Sequence, residues 1–244
     1  GALAAGDRGA ALVERFAFDP SVAVRACALA ASSDDERGAI RAAAARLLDA
    51  PWPAAAVVED RRRAIALHTR IALGDFDASA TSPWLHAPGE RTRAVAYAAC
   101  WQCADAGGRE TLVVAAFADR APRVQRWATR AVERDGLVPH WRTLLDLVVR
   151  SPSPQRLGAV RSALRCASPW WRLEFELALG EATGNVDRAR LAAWCLSVDG
   201  AFLAPAKADV AAIAAAWQRA SSTIDAPLAS AVRSRLVRYG VIAD

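Results

Sequence analysis

The sequence predicts an all-α chain of repeated helical hairpins. Three observations carry that expectation: an alanine-rich composition, a short phrase recurring about every 32 residues, and helix-start residues in phase with it. Of the 244 residues, 54% are apolar and 23% charged, the balance of a folded protein rather than a disordered one. Much of the apolar share is Ala, which has the best helix propensity and loses no side-chain entropy on folding. Tyr and Thr are scarce, and Val rarely alternates with polar residues, so the strand signal is weak.

The phrase is a basic or amide residue, Ala three positions on, and a third, mostly small residue three further. It occurs at Arg25–Ala28–Ala31, Arg63–Ala66–Thr69, Arg93–Ala96–Ala99, Gln125–Ala128–Ala131, Arg156–Ala159–Ser162 and Arg190–Ala193–Leu196, with steps of 38, 30, 32, 31 and 34 residues. Residues three apart share a helix face, and small side chains there let two helices approach closely. Helix-start residues precede most copies: Asp19-Pro20, Asp60, Pro88, Asp119 with Pro122, Pro152 with Pro154, and Asp187. Each copy therefore reads as the second helix of a hairpin.

The first helices come from the apolar stripes between copies. These are Leu12, Val13 and Phe16; Ile40, Ala44, Leu47 and Leu48; Leu112, Val113 and Phe117; Leu144, Leu145 and Val148; and Trp171, Phe175 and Leu179. Breaks are expected at Gly74, Pro83, Gly107-Gly108, Gly136, Pro139, Pro169, Gly184 and Gly200. Past Gly200 the phrase is lost, and two further helices are expected near residues 206–220 and 227–239.

The copies Asp119–Pro122–Val124–Ala128–Ala131–Val132 and Asp19–Pro20–Val24–Arg25–Ala28–Ala31 resemble the HEAT-repeat family, in particular its short PBS-lyase-like units. The resemblance covers roughly residues 7–200 and is poorest over residues 49–74, with the Pro51-Trp52-Pro53 entry. It implies a right-handed α-solenoid of about six hairpins. Residues 1–244 would form one domain, with residues 201–244 as a divergent C-terminal cap. It also implies an Asp–Arg ladder along the stack, with Arg25 and Arg93 matching its Arg position and Gln125 departing from it, and second helices lining a concave surface. Such scaffolds bind other proteins; the family's architecture names no chemistry of its own.

Basic residues outnumber acidic ones by 31 to 26, a net charge of +5. Lys207 is the only lysine, so nearly all positive charge is guanidinium. That excess is too mild to imply nucleic acid. No apolar run reaches the roughly 18–20 residues of a membrane helix, and no signal-peptide pattern opens the chain. Five cysteines at irregular spacing fit free thiols in a reducing, cytoplasmic setting better than a disulfide framework. The absence of any Met points to a processed product or a piece of a longer chain.

The sharpest binding candidate is an arginine stripe. Arg126, Arg130 and Arg134 recur every fourth residue on one helix face, and Arg161 and Arg165 hold matching positions in the next copy. Like charges at that spacing cost a few tenths of a kcal/mol each, which an anionic partner would offset. The stripe reads either as a concave basic patch for an acidic protein or as a solvated face tempered by Glu133 and Asp135. The first and third copies carry Ala26, Ala30, Ala94 and Ala98 there, so the patch is local. Nine tryptophans admit a second function, nucleic-acid binding by base stacking, with the HEAT-like alkylbase DNA glycosylases as the analogous architecture; core filling is the plainer reading of them.

The Cys100–Cys103 pair falls late in a helix, where no dipole favours a thiolate. His68, His86 and His140 are too dispersed for a metal cluster. Ser32-Ser33 and Ser221-Ser222 read as caps, and Glu174 and Glu176 as pointing to different faces. No phosphate-binding loop or dinucleotide fingerprint occurs. Neither a cofactor nor a metal is expected, and the expected function is a non-catalytic protein-interaction scaffold.

Overall fold

The computed structural model describes residues 12, 15–52, 56–75, 81–201 and 203–243. Among them the fold is all-α, with no strand. In chain order the helices are α1 (Val22–Ala31), α2 (Asp34–Asp49), α3 (Ala56–Ala72), α4 (Glu90–Cys103), α5 (Ala106–Ala118), α6 (Pro122–Asp135), α7 (Trp141–Arg150), α8 (Pro154–Leu164), α9 (Pro169–Thr183), α10 (Arg188–Ala201), α11 (Lys207–Ala220) and α12 (Ala226–Arg238). Short 3₁₀ turns cover Ser82–His86 and Ser221–Thr223. The chain divides into two compact units, residues 1–112 and 113–244.

Local chemistry sets the helix ends. Ser33 and Glu36 form a reciprocal capping box at the start of α2. Ser21, Ser153, Ser168 and Asp225 each accept a hydrogen bond from a first-turn N–H of α1, α8, α9 and α12. Pro122, Pro154 and Pro169 open their helices, where a missing N–H costs nothing. Gly136 ends α6 at φ 69°, a left-handed turn that strains any residue bearing a Cβ. The expected break at Gly107-Gly108 falls instead at Ala104 and Asp105, because Asp105 caps the Gly108 N–H at 2.7 Å and draws both glycines into α5. Ser221 caps the end of α11 as expected, its N–H donating to the Trp217 carbonyl, and opens a 3₁₀ turn; Asp225 caps the start of α12.

In the N-terminal unit α3 packs against α2 and α4. Ala44, Leu48, Ala66, Leu67 and Ala96 form its buried centre. In the C-terminal unit helices two apart in sequence pack together: α6 with α8, α7 with α9, α9 with α11, and α10 with α12. Its largest core cluster gathers Trp170, Leu173, Leu177, Leu191, Trp194, Ile213 and Trp217. Trp170 and Trp194 meet edge to face at 5.6 Å, and their indole N–H groups donate to the Leu203 and Pro169 carbonyls at 2.8 Å each. Buried aromatics are satisfied at both ends in this way.

The first member of the recurring phrase is a clamp on main-chain carbonyls. Arg25, Arg63, Arg93, Gln125 and Arg156 are all buried. Arg25 donates to the Asp19 and Pro20 carbonyls at 2.6 and 3.1 Å, and Arg93 to those of Ala87 and Pro88 at 2.7 and 3.0 Å. Arg63 reaches the Ala50 and Pro51 carbonyls at 2.6 and 2.9 Å and pairs with Glu59 at 3.0 Å. Gln125 makes the same reach with its amide, to the Asp119 carbonyl at 2.7 Å. Arg156 spans further, joining the Ser151 carbonyl to those of Phe117 and Ala118, the last residues of α5, at 2.9 and 3.0 Å. Terminal helix carbonyls have no partner within their own helix, and a guanidinium offers five donors plus a charge that complements the helix C-terminus.

The expected ladder thus takes another form. Arg25 meets Asp19 through its main-chain oxygen, while the Asp19 and Asp119 carboxylates accept the Ser21 and Ala121 N–H groups at 2.7 Å each. A side chain that does link successive copies is Asp60. Buried in α3, it accepts from the Arg91 and Thr92 N–H groups and the Thr92 hydroxyl at 2.8–3.0 Å, capping α4 from its neighbour. It was expected to start its own copy. Gly89 has no side chain because a Cβ there would lie 1.9 Å from Asp60 Oδ1.

The first expected stripe is not buried: Leu12 and Phe16 are 51% and 45% exposed, and Val13 lies outside the described residues. Val24 and Ala31 are likewise exposed in α1, whereas their counterparts Val124 and Ala131 are buried in α6.

Candidate functional site

Helical periodicity alone places Arg126, Arg130 and Arg134 on the outward face of α6, opposite buried Ala128, Ala131 and Val132. Arg126 and Arg130 line an open groove of about 360 Å³ between α6 and α8. Its floor is low because Gly158 and Ala159 carry almost no side chain, and Thr129 bridges to the Ala159 carbonyl at 3.4 Å. Among the described residues neither Arg126 nor Arg130 has an ion pair or a side-chain hydrogen bond. Glu133 is the carboxylate on the groove wall.

The other three arginines are engaged. Arg134 holds Asp135 through two bonds of 2.8 and 2.9 Å at the exposed end of α6. Arg165 donates to Ser162 at 2.8 Å and lies 3.9 Å from Glu133. Arg161 turns away from the groove: it grips Glu176 of α9 through two bonds of 2.8 and 2.5 Å and Asp187 at 3.1 Å. Burial raises the Glu176 carboxyl, which Arg161 offsets only in part. Arg161 and Arg165 instead line a second depression of about 150 Å³ between α8, α9 and α10, together with Arg172, Arg190 and Trp194.

Sequence reasoning assigned neither Arg172 nor Arg190 to a site. Arg172 bore no periodic relation to the stripe. Arg190 was read as the phrase's first member, yet it is exposed, and α10 begins with Asp187 accepting the Arg190 N–H at 3.2 Å.

Trp101, Trp141, Trp170, Trp194 and Trp217 are buried, which removes most of the surface on which bases would stack. Cys100 is buried, and burial raises its thiol pKa; Cys103 is exposed at the last residue of α4. No group of three metal-ligating side chains occurs among the described residues, and no described helix is long and apolar enough to cross a membrane. His140 caps the Arg142 N–H at 3.3 Å and packs 4.9 Å from the Trp171 ring.

Glu174 and Glu176 do point apart, as expected, but both are buried. Glu174 faces Trp141 and Arg142 of α7 and Asp209 of α11; desolvation, with Asp209 nearby, pushes its carboxyl up to about 7. Its Oε2 has no hydrogen-bond partner. No protein-family model, curated protein or solved structure matches this chain.

Proposed function

We propose that this chain is a non-catalytic scaffold of the HEAT-repeat type, an α-solenoid that holds an acidic segment of a protein partner in the groove between α6 and α8. The observation that carries the reading is the pair Arg126 and Arg130. They stand one turn apart at a groove floored by Gly158 and Ala159, without a counter-charge of their own among the described residues. Support for the repeat type comes from the recurring turn clamp at Arg25, Arg63, Arg93, Gln125 and Arg156, and from the packing of alternate helices. Guanidinium forks match carboxylates in a two-bond geometry that a lysine cannot reproduce. The positive potential of the pair speeds encounter more than it tightens the complex.

Fluorescence anisotropy of a labelled poly-glutamate peptide tests this. The native chain binds the peptide, more weakly as salt rises. The double variant Arg126→Glu/Arg130→Glu loses at least about tenfold in affinity, roughly 1.4 kcal/mol. Unchanged binding by the variant overturns the reading. A DNA duplex in the same assay is the control: preference for the duplex, with a steep salt dependence, reassigns the groove to phosphate backbones.

A further inference from the structure

We propose that the depression between α8, α9 and α10 is a binding site for a small tetrahedral oxyanion, namely phosphate or a phosphomonoester group. It lies apart from the α6–α8 groove and does not depend on the scaffold reading.

Four guanidiniums line it: Arg161 from α8, Arg165 from the cap that follows α8, Arg172 from α9 and Arg190 from α10. Two carboxylates stand against them, Glu176 and Asp187, and both are gripped by Arg161 at 2.5–3.1 Å. The charge of Arg161 is therefore spent. Of the other three, Arg165 has only the Ser162 hydroxyl at 2.8 Å and a distant Glu133 at 3.9 Å. Arg190 stays exposed, near enough to Glu176 to feel its charge.

Arg172 is the decisive residue. It is half-buried, its Nε is shielded from solvent without a hydrogen-bond partner, and no carboxylate pairs with it among the described residues. Burial lowers its pKa with no opposing charge to restore it. Taking a cation out of water without a partner is costly, and here that cost is concentrated in a pocket that already holds two under-neutralised guanidiniums. An anion in the pocket supplies the counter-charge that Arg172 lacks.

Size and geometry select the anion. A volume of about 150 Å³ is well below the roughly 300–1,000 Å³ of sites for drug-sized ligands, so a whole nucleotide does not fit. A carboxylate has two coplanar oxygens, which one guanidinium fork can saturate. Guanidiniums contributed by three successive helices instead match an anion with oxygens on several sides. Trp194 and Leu164 supply an apolar wall that keeps water from competing.

Isothermal titration with sodium phosphate at constant ionic strength tests the proposal, with sodium chloride and sodium acetate as controls. Phosphate binds with a measurable dissociation constant and raises the melting temperature; acetate and chloride do not. Arg172→Gln lowers phosphate affinity by at least about tenfold, while Arg126→Glu/Arg130→Glu leaves it unchanged. Should Arg172→Gln fail to fold, Arg165→Gln, on an exposed side chain, gives the same readout. Equal response to phosphate and chloride, or native affinity in both Gln variants, overturns the site. A phosphoserine peptide in the same titration separates the sources. Tighter binding of the peptide assigns a phosphorylated side chain, and tighter binding of inorganic phosphate assigns the free ion.

Discussion

The two faces of α6 and α8 put similar side chains to opposite uses. On the inward face, Gln125 and Arg156 are buried and donate to main-chain carbonyls of the preceding turn and helix end. On the outward face, Arg126 and Arg130 meet no acceptor among the described residues and line a groove. One register step separates Gln125 from Arg126, yet the first belongs to the architecture and the second is available to a ligand. Residue type therefore says little about an arginine's role in this chain; its phase on the helix says a great deal.

The contrast is broken most severely at Arg156. Arg156→Ala leaves the Phe117, Ala118 and Ser151 carbonyls without their donor in a buried setting. It is expected to cost about 3–5 kcal/mol, read as a lower urea midpoint. Arg93→Gln sharpens the point: Gln125 makes the same clamp with an amide, so this variant costs only about 1 kcal/mol.

Gly89→Ala tests the link between neighbouring copies. The new Cβ displaces the Asp60 carboxylate that caps α4, and a loss of about 2–3 kcal/mol in chemical denaturation is expected.

Glu174 extends the contrast to carboxylates, since Arg161 grips Glu176 through two bonds whereas Glu174 feels the charge of Arg142 but leaves its Oε2 without a hydrogen bond. Its folded pKa of about 7 lies above the ordinary carboxylate value of 4.5, so the folded state holds the proton more tightly than the unfolded chain. The stability this contributes is full below the ordinary value and is lost as pH rises through about 7. Glu174→Gln removes that loss. Relative to the native chain, the variant gains about 1–2 kcal/mol between acidic and mildly alkaline pH, measured as the difference in unfolding free energy. A difference that stays flat with pH would show that the buried carboxyl titrates normally.

The smallest stability effect is expected on the outward face. Arg126→Glu/Arg130→Glu should move the unfolding free energy by no more than about 0.5 kcal/mol, because neither side chain is buried or paired. Its effect is on peptide binding. A large loss of stability would mean that these arginines belong with the inward set.

Much of this was legible in the chain. The phase of the phrase placed Ala66, Ala96 and Ala128 in fully buried contacts and Arg126 and Arg130 outside, because helical periodicity fixes which residues share a face whatever the neighbours are. It also put helices close to residues 206–220 and 227–239, where α11 and α12 lie. What local pattern could not give was the partner of a side chain. Arg161 shares the helical position of Arg130 yet is consumed by Glu176, fifteen residues on, across a helix boundary. Arg190 fits the phrase and still makes no clamp: its side chain is exposed, and only its N–H is held, by Asp187.

The sequence by itself determined most helix positions, which alanines share a face and the outward phase of the stripe, since each depends on interactions within one helix or its caps; whether an alanine is buried, as Ala128 is and Ala193 is not, depends on the neighbouring helices. Tertiary packing alone decided which arginines kept their charge uncompensated. That outcome depends on where carboxylates and carbonyls of other helices come to rest, and those positions follow from how whole helices nest rather than from any short window of the chain.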